Sequence, residues 1–131
     1  MIESIKYQVP SLIWSVIILV LCNMPMHNVS KSVRFFEGFD KMVHLGLFFV
    51  LTVFLLNGLS KGSGEYQFSI ITFIKIIVST FVFGGLIEIL QWKFFNYRSA
   101  EWWDLFADMT GVSMAIFSYV IMHKKRDFTF E

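Results

Sequence analysis

Three stretches of this chain carry side chains able to do chemistry: Asp40, Lys41 and His44; Glu88 and Gln91; and Arg98, Asp104 and Asp108. Asp40 and His44 are four residues apart, so on a helix they share a face and the carboxylate can orient the imidazole. Glu88 and Gln91, three apart, share a face in the same way. Asp104, Asp108 and Gly111 follow an i, i+4, i+7 pattern, a polar stripe ending in a glycine that permits close helix approach. Gly84-Gly85 sits one turn before Glu88, and Gly46 follows His44. In this set His44 is the candidate general base, oriented by Asp40, with Glu88 as acid or second base. Lys41 and Arg98 can hold a phosphate or carboxylate through charge-assisted hydrogen bonds, with Gln91, Asp104 and Asp108 completing a binding site. A variant makes His44, Glu88, Asp104 and Asp108, joined by Asp40, an oxygen-rich divalent-metal site. The pattern assigns no cofactor by itself.

Each residue also has a plainer role. Asp40 and Asp104 suit helix N-termini, and His44 can be a hydrogen-bonded packing residue. Glu88 can pair with Arg98 or Lys41 to hold helices together, with Asp108 in the same network. His27 reads as an interfacial loop residue, and Lys31, Arg34 and Glu37 as a solvated loop. Trp92, Trp102 and Trp103 read as an aromatic belt at a membrane interface.

The elements that carry these groups are apolar. Of 131 residues, 56% are hydrophobic and 16% charged, where a soluble domain runs near 45–50% and 25%. Four spans of roughly 20 residues need about 80 apolar positions, close to what is present. Four apolar stretches appear, at about 9–26, 42–58, 68–92 and 105–122. In lipid the backbone must satisfy its own hydrogen bonds, so each reads as a helix. The expected fold is therefore all-α, a four-helix transmembrane bundle forming one domain over 1–131. The segment Ser60-Lys61-Gly62-Ser63-Gly64 reads as a flexible turn. A signal-peptide reading of the first stretch, with Lys6 as its basic flank, lacks a small-x-small cleavage site.

Following the up-and-down path, the three chemistry-bearing stretches arrive at one membrane face. The opposite face receives both termini and the run Lys124-Lys125-Arg126 directly after the last span, which places that face in the cytoplasm. A carboxylate at the centre of a span costs roughly 2.5–3.5 kcal/mol on insertion scales. Glu88 and Asp108, about one turn inside theirs, therefore call for a role facing the bundle. A formal net charge of +1 gives no basic face for nucleic acid. The single cysteine, Cys22, excludes an internal disulfide and a cysteine-based zinc site.

Asp40-Lys41-x-x-His44 leading a helix, then Glu88-x-x-Gln91, Arg98, Asp104 and Gly111 resemble the VanZ-like family of small bacterial membrane proteins. The similarity covers nearly the whole chain, including Pro25 after the first span. Asp108 stands where that pattern leads one to expect an asparagine. The resemblance implies a multi-pass protein of the bacterial cytoplasmic (inner) membrane and a link to teicoplanin resistance. Two function classes follow. In one, an extracytoplasmic pocket binds or modifies an envelope lipid or an anionic cell-wall precursor. In the other, the ion pairs are structural, and a non-enzymatic bundle acts as partner or accessory to another membrane protein.

Overall fold

The computed structural model describes residues 2–24, 38–94 and 101–124, and every regular element among them is a helix. They are α1 (Ile2–Lys6), α2 (Val9–Asn23), α3 (Phe39–Ser63), α4 (Ile70–Phe94) and α5 (Trp102–His123). At 1.5 Å per residue, α3 and α4 are each about 37 Å long and α5 about 33 Å. All three exceed a hydrocarbon core of about 30 Å, and all three are apolar enough to cross one. The apolar helix α2 has 15 residues, about 22 Å. It stops at Asn23, short of the expected boundary at residue 26.

Local chemistry fixes the ends. Pro10 lies in the first turn of α2, where its missing N–H would have had no helical partner. Gly38 precedes α3 at φ 91° and Gly64 ends it at φ 73°, backbone that an L side chain resists. The Gly64 N–H closes on the Ser60 carbonyl at 2.9 Å. The expected flexible turn at Ser60–Gly64 is thus the last turn of α3. Ser60 is buried and hydrogen-bonded to the Tyr119 hydroxyl of α5. Composition suggested a turn there, but that bond and the close seat of Tyr7 and Gln8 over Gly58 and of Ser4 and Tyr7 over Gly62 keep the segment helical.

The helices run alternately up and down around α3. Gln8 at the start of α2 donates to the Leu55 carbonyl at 3.3 Å. Trp14 Nε1 donates to the Leu47 carbonyl at 2.9 Å, so α2 runs antiparallel to α3. Between them Ile18, Cys22, Leu47, Phe48, Leu51, Ile87 and Val112 form one apolar cluster. Leu56, Ile76 and Tyr119 form a second toward the opposite end.

The polarity is that of a protein with apolar surroundings. On α4 the buried face reads Ile76, Thr80, Gly84, Ile87, Glu88 and Gln91. The outward face holds Ile70, Ile71, Ile74, Ile77, Val78, Phe81, Val82, Leu86 and Ile89, all exposed. An apolar face of this extent has no place in water, whereas hydrocarbon requires it. Trp92, Trp102 and Trp103 are 71%, 85% and 66% exposed and cluster at the end where α4 stops and α5 starts, as an aromatic belt would.

Candidate functional site

The start of α3, the end of α4 and the start of α5 share one end of the bundle. His44, Glu88 and Asp108 each lie within about 9 Å, along the axis, of their helix terminus at that end. His44 is 1% exposed, Asp108 1% and Asp104 3%. His44 Nδ1 meets Asp108 Oδ1 at 3.0 Å. A carboxylate can only accept here, so Nδ1 carries the hydrogen and the tautomer is set. The other ring nitrogen, Nε2, faces Asp104 Oδ2 at 3.9 Å, too long for a hydrogen bond.

Asp104 sits between Lys41 and His44. Its Oδ1 lies 3.6 Å from Lys41 Nζ, yet this buried oxygen has no hydrogen-bond partner. Lys41 turns instead to Glu101 Oε2 at 2.8 Å. Lys41 and Glu101 are the half-exposed members of the set, so the cluster is approached from their side. Asp40, His44 and Asp104 each place a ligand atom within 4.8 Å of the others.

Glu88 reaches over from α4. Its Oε2 accepts the backbone N–H of Glu101 at 2.9 Å, satisfying a donor at the entry to α5, where no side chain of Glu101 does so. Its Oε1 is buried with no hydrogen-bond partner. Gln91 Nε2 donates to the Cys22 carbonyl at 2.8 Å and so ties α4 to the end of α2.

Two glycines set this register. A Cβ on Gly111 would run into the Leu45 carbonyl and lie 3.1 Å from the Phe49 nitrogen, so α3 and α5 touch backbone to backbone one turn from Asp108. A Cβ on Gly84 would come within 3.0 Å of Asp108 Oδ2, so the second oxygen of that carboxylate rests against α4. Gly46 and Gly85 have open space where a Cβ would go and mark no such contact.

Several expected pairings differ in detail. The carboxylate bonded to His44 is Asp108, on another helix, and not Asp40 one turn earlier. Among the described residues, Glu88 accepts from the Glu101 backbone and does not pair with Lys41. Gln91 serves an interhelical bond. Arg98 and His27 lie outside the described residues. The residue that sequence reasoning passed over is Glu101, the main partner of Lys41. Its signal was available: an acid three residues before Asp104, at the same helix start.

A shallow cleft at the opposite end is lined by Glu65, Tyr66, Gln67 and His123. Its Tyr66 and His123 rings stack at 5.4 Å. It gathers one acid and one imidazole, against five carboxylates, an ammonium and an imidazole among the described residues at the other end.

Fold and site together define a small helical membrane protein with an acid-rich, histidine-centred cluster at one end of its bundle. The family model described as VanZ/LLP1 matches residues 3–123, and the chain belongs to that family. No curated protein and no solved structure matches it.

Proposed function

We propose that the protein crosses the bacterial cytoplasmic membrane four times, with both termini in the cytoplasm. In this reading α1 and α2 together make the first crossing, and the cluster around His44 faces the envelope. There it binds the phosphate-bearing headgroup of an envelope lipid or lipid-linked cell-wall precursor. The observation that carries the reading is the position of Lys41. Its ammonium stands at the mouth of the cluster, 37% exposed, beside a buried network that holds it in place. Masking a precursor in this way would connect the site with the teicoplanin resistance that the family resemblance implies.

Binding is favoured over turnover. His44 Nδ1 is engaged by Asp108, and Glu88 is occupied through one oxygen by the α5 backbone, an arrangement that holds shape around a headgroup.

The test is saturable binding of phosphatidic acid to the purified full-length protein in detergent, followed by native mass spectrometry. One lipid per chain is expected, weakened at least about tenfold by Lys41→Ala, the worth of a charge-assisted contact. Binding unchanged in Lys41→Ala, or no saturation, would refute the reading. Topology is read separately with a membrane-impermeant maleimide on intact cells. Glu101→Cys should label and Lys61→Cys should not, while native Cys22 is buried and silent.

A second, non-enzymatic reading rests on a specific observation: His44–Asp108, Lys41–Glu101, Glu88–Glu101 and Gln91–Cys22 each join two different segments. On that reading the network only fixes the bundle that an accessory protein presents to its partner. Removing Asp108, Glu88 or Gln91 then lowers thermal stability in detergent by similar amounts, because each leaves a buried or part-buried polar group unpaired.

A further inference from the structure

We propose that Asp40, His44 and Asp104 hold a divalent transition-metal cation, with Zn2+ the best fit, and that Asp108 positions the histidine ligand from behind. The proposal deepens the headgroup reading and rests on it for the ion's purpose. It begins with charge. Among the described residues, five carboxylates, those of Asp40, Glu88, Glu101, Asp104 and Asp108, gather around one lysine and one imidazole. A phosphate held by Lys41 meets these acids as well, and a second cation beside the lysine would offset their repulsion.

Three features of the cluster point to a cation beyond the mere number of acids. The first is His44. With Nδ1–H given to Asp108, the neutral form of the ring carries its lone pair on Nε2, which faces Asp104 Oδ2 at 3.9 Å. Two acceptors aimed at each other in a buried site are unfavourable, and a metal between them resolves the conflict. A carboxylate behind a histidine that points its far nitrogen at a cation is the usual outer-shell arrangement of metal-bound histidine.

The second feature is Asp104. Its side chain is 4% exposed and its Oδ1 has no hydrogen-bond partner, only the Lys41 ammonium at 3.6 Å, so it is a buried acceptor left short of a close donor. The third is size. The ligand atoms of Asp40, His44 and Asp104 lie within 4.8 Å of one another. Two ligands at about 2.1 Å from one ion can stand at most about 4.2 Å apart, so the widest pair must close by roughly half an ångström. Side-chain rotation supplies that.

One imidazole with two carboxylates suits Zn2+ or Mn2+ better than Mg2+, which favours all-oxygen shells. Three protein ligands leave a coordination position open. A phosphate oxygen can take it, with Lys41 beside it, still paired to Glu101. The acids would then recruit the anion through the ion instead of repelling it.

The experiment uses the full chain in dodecyl maltoside, stripped with EDTA, then dialysed against Zn2+ in the absence of added lipid. Bound metal is counted by inductively coupled plasma mass spectrometry, and affinity by calorimetry. One Zn2+ per chain is expected, and excess Mg2+ should not displace it. His44→Ala and Asp104→Asn should lose the ion. Asp108→Asn keeps a hydrogen-bond acceptor for Nδ1 and should bind 10–100-fold more weakly, the usual effect of changing an outer-shell partner. Lys61→Ala, at the opposite end, should bind as wild type. Lowering the pH should release the ion, since protons compete for these ligands.

Variants are compared only where circular dichroism shows wild-type helix content, and Asp40→Asn provides a further ligand substitution should His44→Ala not fold. Absence of stoichiometric Zn2+ in the wild type would overturn the proposal. So would full binding in folded His44→Ala or Asp104→Asn, or displacement by Mg2+. A phosphatidic acid titration with and without Zn2+ then separates the two readings. Lipid binding strengthened by Zn2+ supports both. Lipid binding identical in EDTA overturns the ion's role and leaves the headgroup reading standing. Bound Zn2+ with no saturable lipid overturns the headgroup reading and leaves the metal site standing.

Discussion

Gly111→Ala adds one methyl group at the place where α3 and α5 meet backbone to backbone. The new carbon would stand 3.0 Å from the Leu45 carbonyl carbon and 3.1 Å from the Phe49 nitrogen, and closer still to the Leu45 oxygen. Carbon contacts are comfortable at about 3.5–4.0 Å, so the helices must part by about an ångström. No side chain can yield, because every near atom is backbone. Overpacking costs about 1–3 kcal/mol, and a backbone contact belongs at the upper end. Against this, alanine gains about 1 kcal/mol over glycine in helix propensity. The net loss is about 2 kcal/mol, or roughly 8 °C in Tm for a chain of this size.

The same movement carries Asp108, three residues away, off His44, and stretches the 3.0 Å bond beyond hydrogen-bonding range. Thermal unfolding in detergent, followed by circular dichroism, measures the first effect. Gly46→Ala and Gly85→Ala are the internal controls: both have open space for the methyl group and should be neutral or stabilised by up to about 1 kcal/mol. If Gly111→Ala matched these controls, the close seam that registers the site would be refuted.

Asp108→Leu should destabilise the fold by about 1–3 kcal/mol, because it leaves the buried His44 N–H without an acceptor. Asp108→Asn should cost much less, and equal losses in the two variants would contradict the assigned bond. Glu88→Ala should free the Glu101 N–H and speed amide hydrogen exchange at the entry to α5, while exchange in the middle of α5 stays slow. Gln91→Leu should lower stability by about 0.5–1.5 kcal/mol through loss of the Cys22 carbonyl bond. It should also raise the reactivity of Cys22 toward a small thiol reagent as the end of α2 loosens. Unchanged thiol reactivity would contradict that tie.

The spans were legible because hydropathy and helical periodicity are local properties. The run from Phe68 to Trp92 anticipates α4 to within two residues at each end, and its inward Thr80, Glu88 and Gln91 follow from a 3.6-residue repeat. The convergence of Asp40, His44, Glu88, Asp104 and Asp108 at one end was also legible, since antiparallel helices with short connections must alternate direction. The extent of α3 was not. Lys61, Gly62 and Ser63 look like a turn by composition, and only the bond from Ser60 to Tyr119 and the packing of Tyr7 and Gln8 over Gly58 keep that segment helical.

What the sequence determined, then, is that apolar helices bury polar side chains and bring them to a common level, because these properties depend on neighbours three or four residues away. What the tertiary structure decided is the pairing within that level. Asp40 is one turn from His44, yet Asp108, 64 positions later, holds its Nδ1. Lys41 has Asp104 nearby, yet its ammonium goes to Glu101. Such choices turn on the axial offset and distance between α3, α4 and α5. Those are set where Gly111 and Gly84 let the helices touch, and interhelical register is a property that no single helix contains.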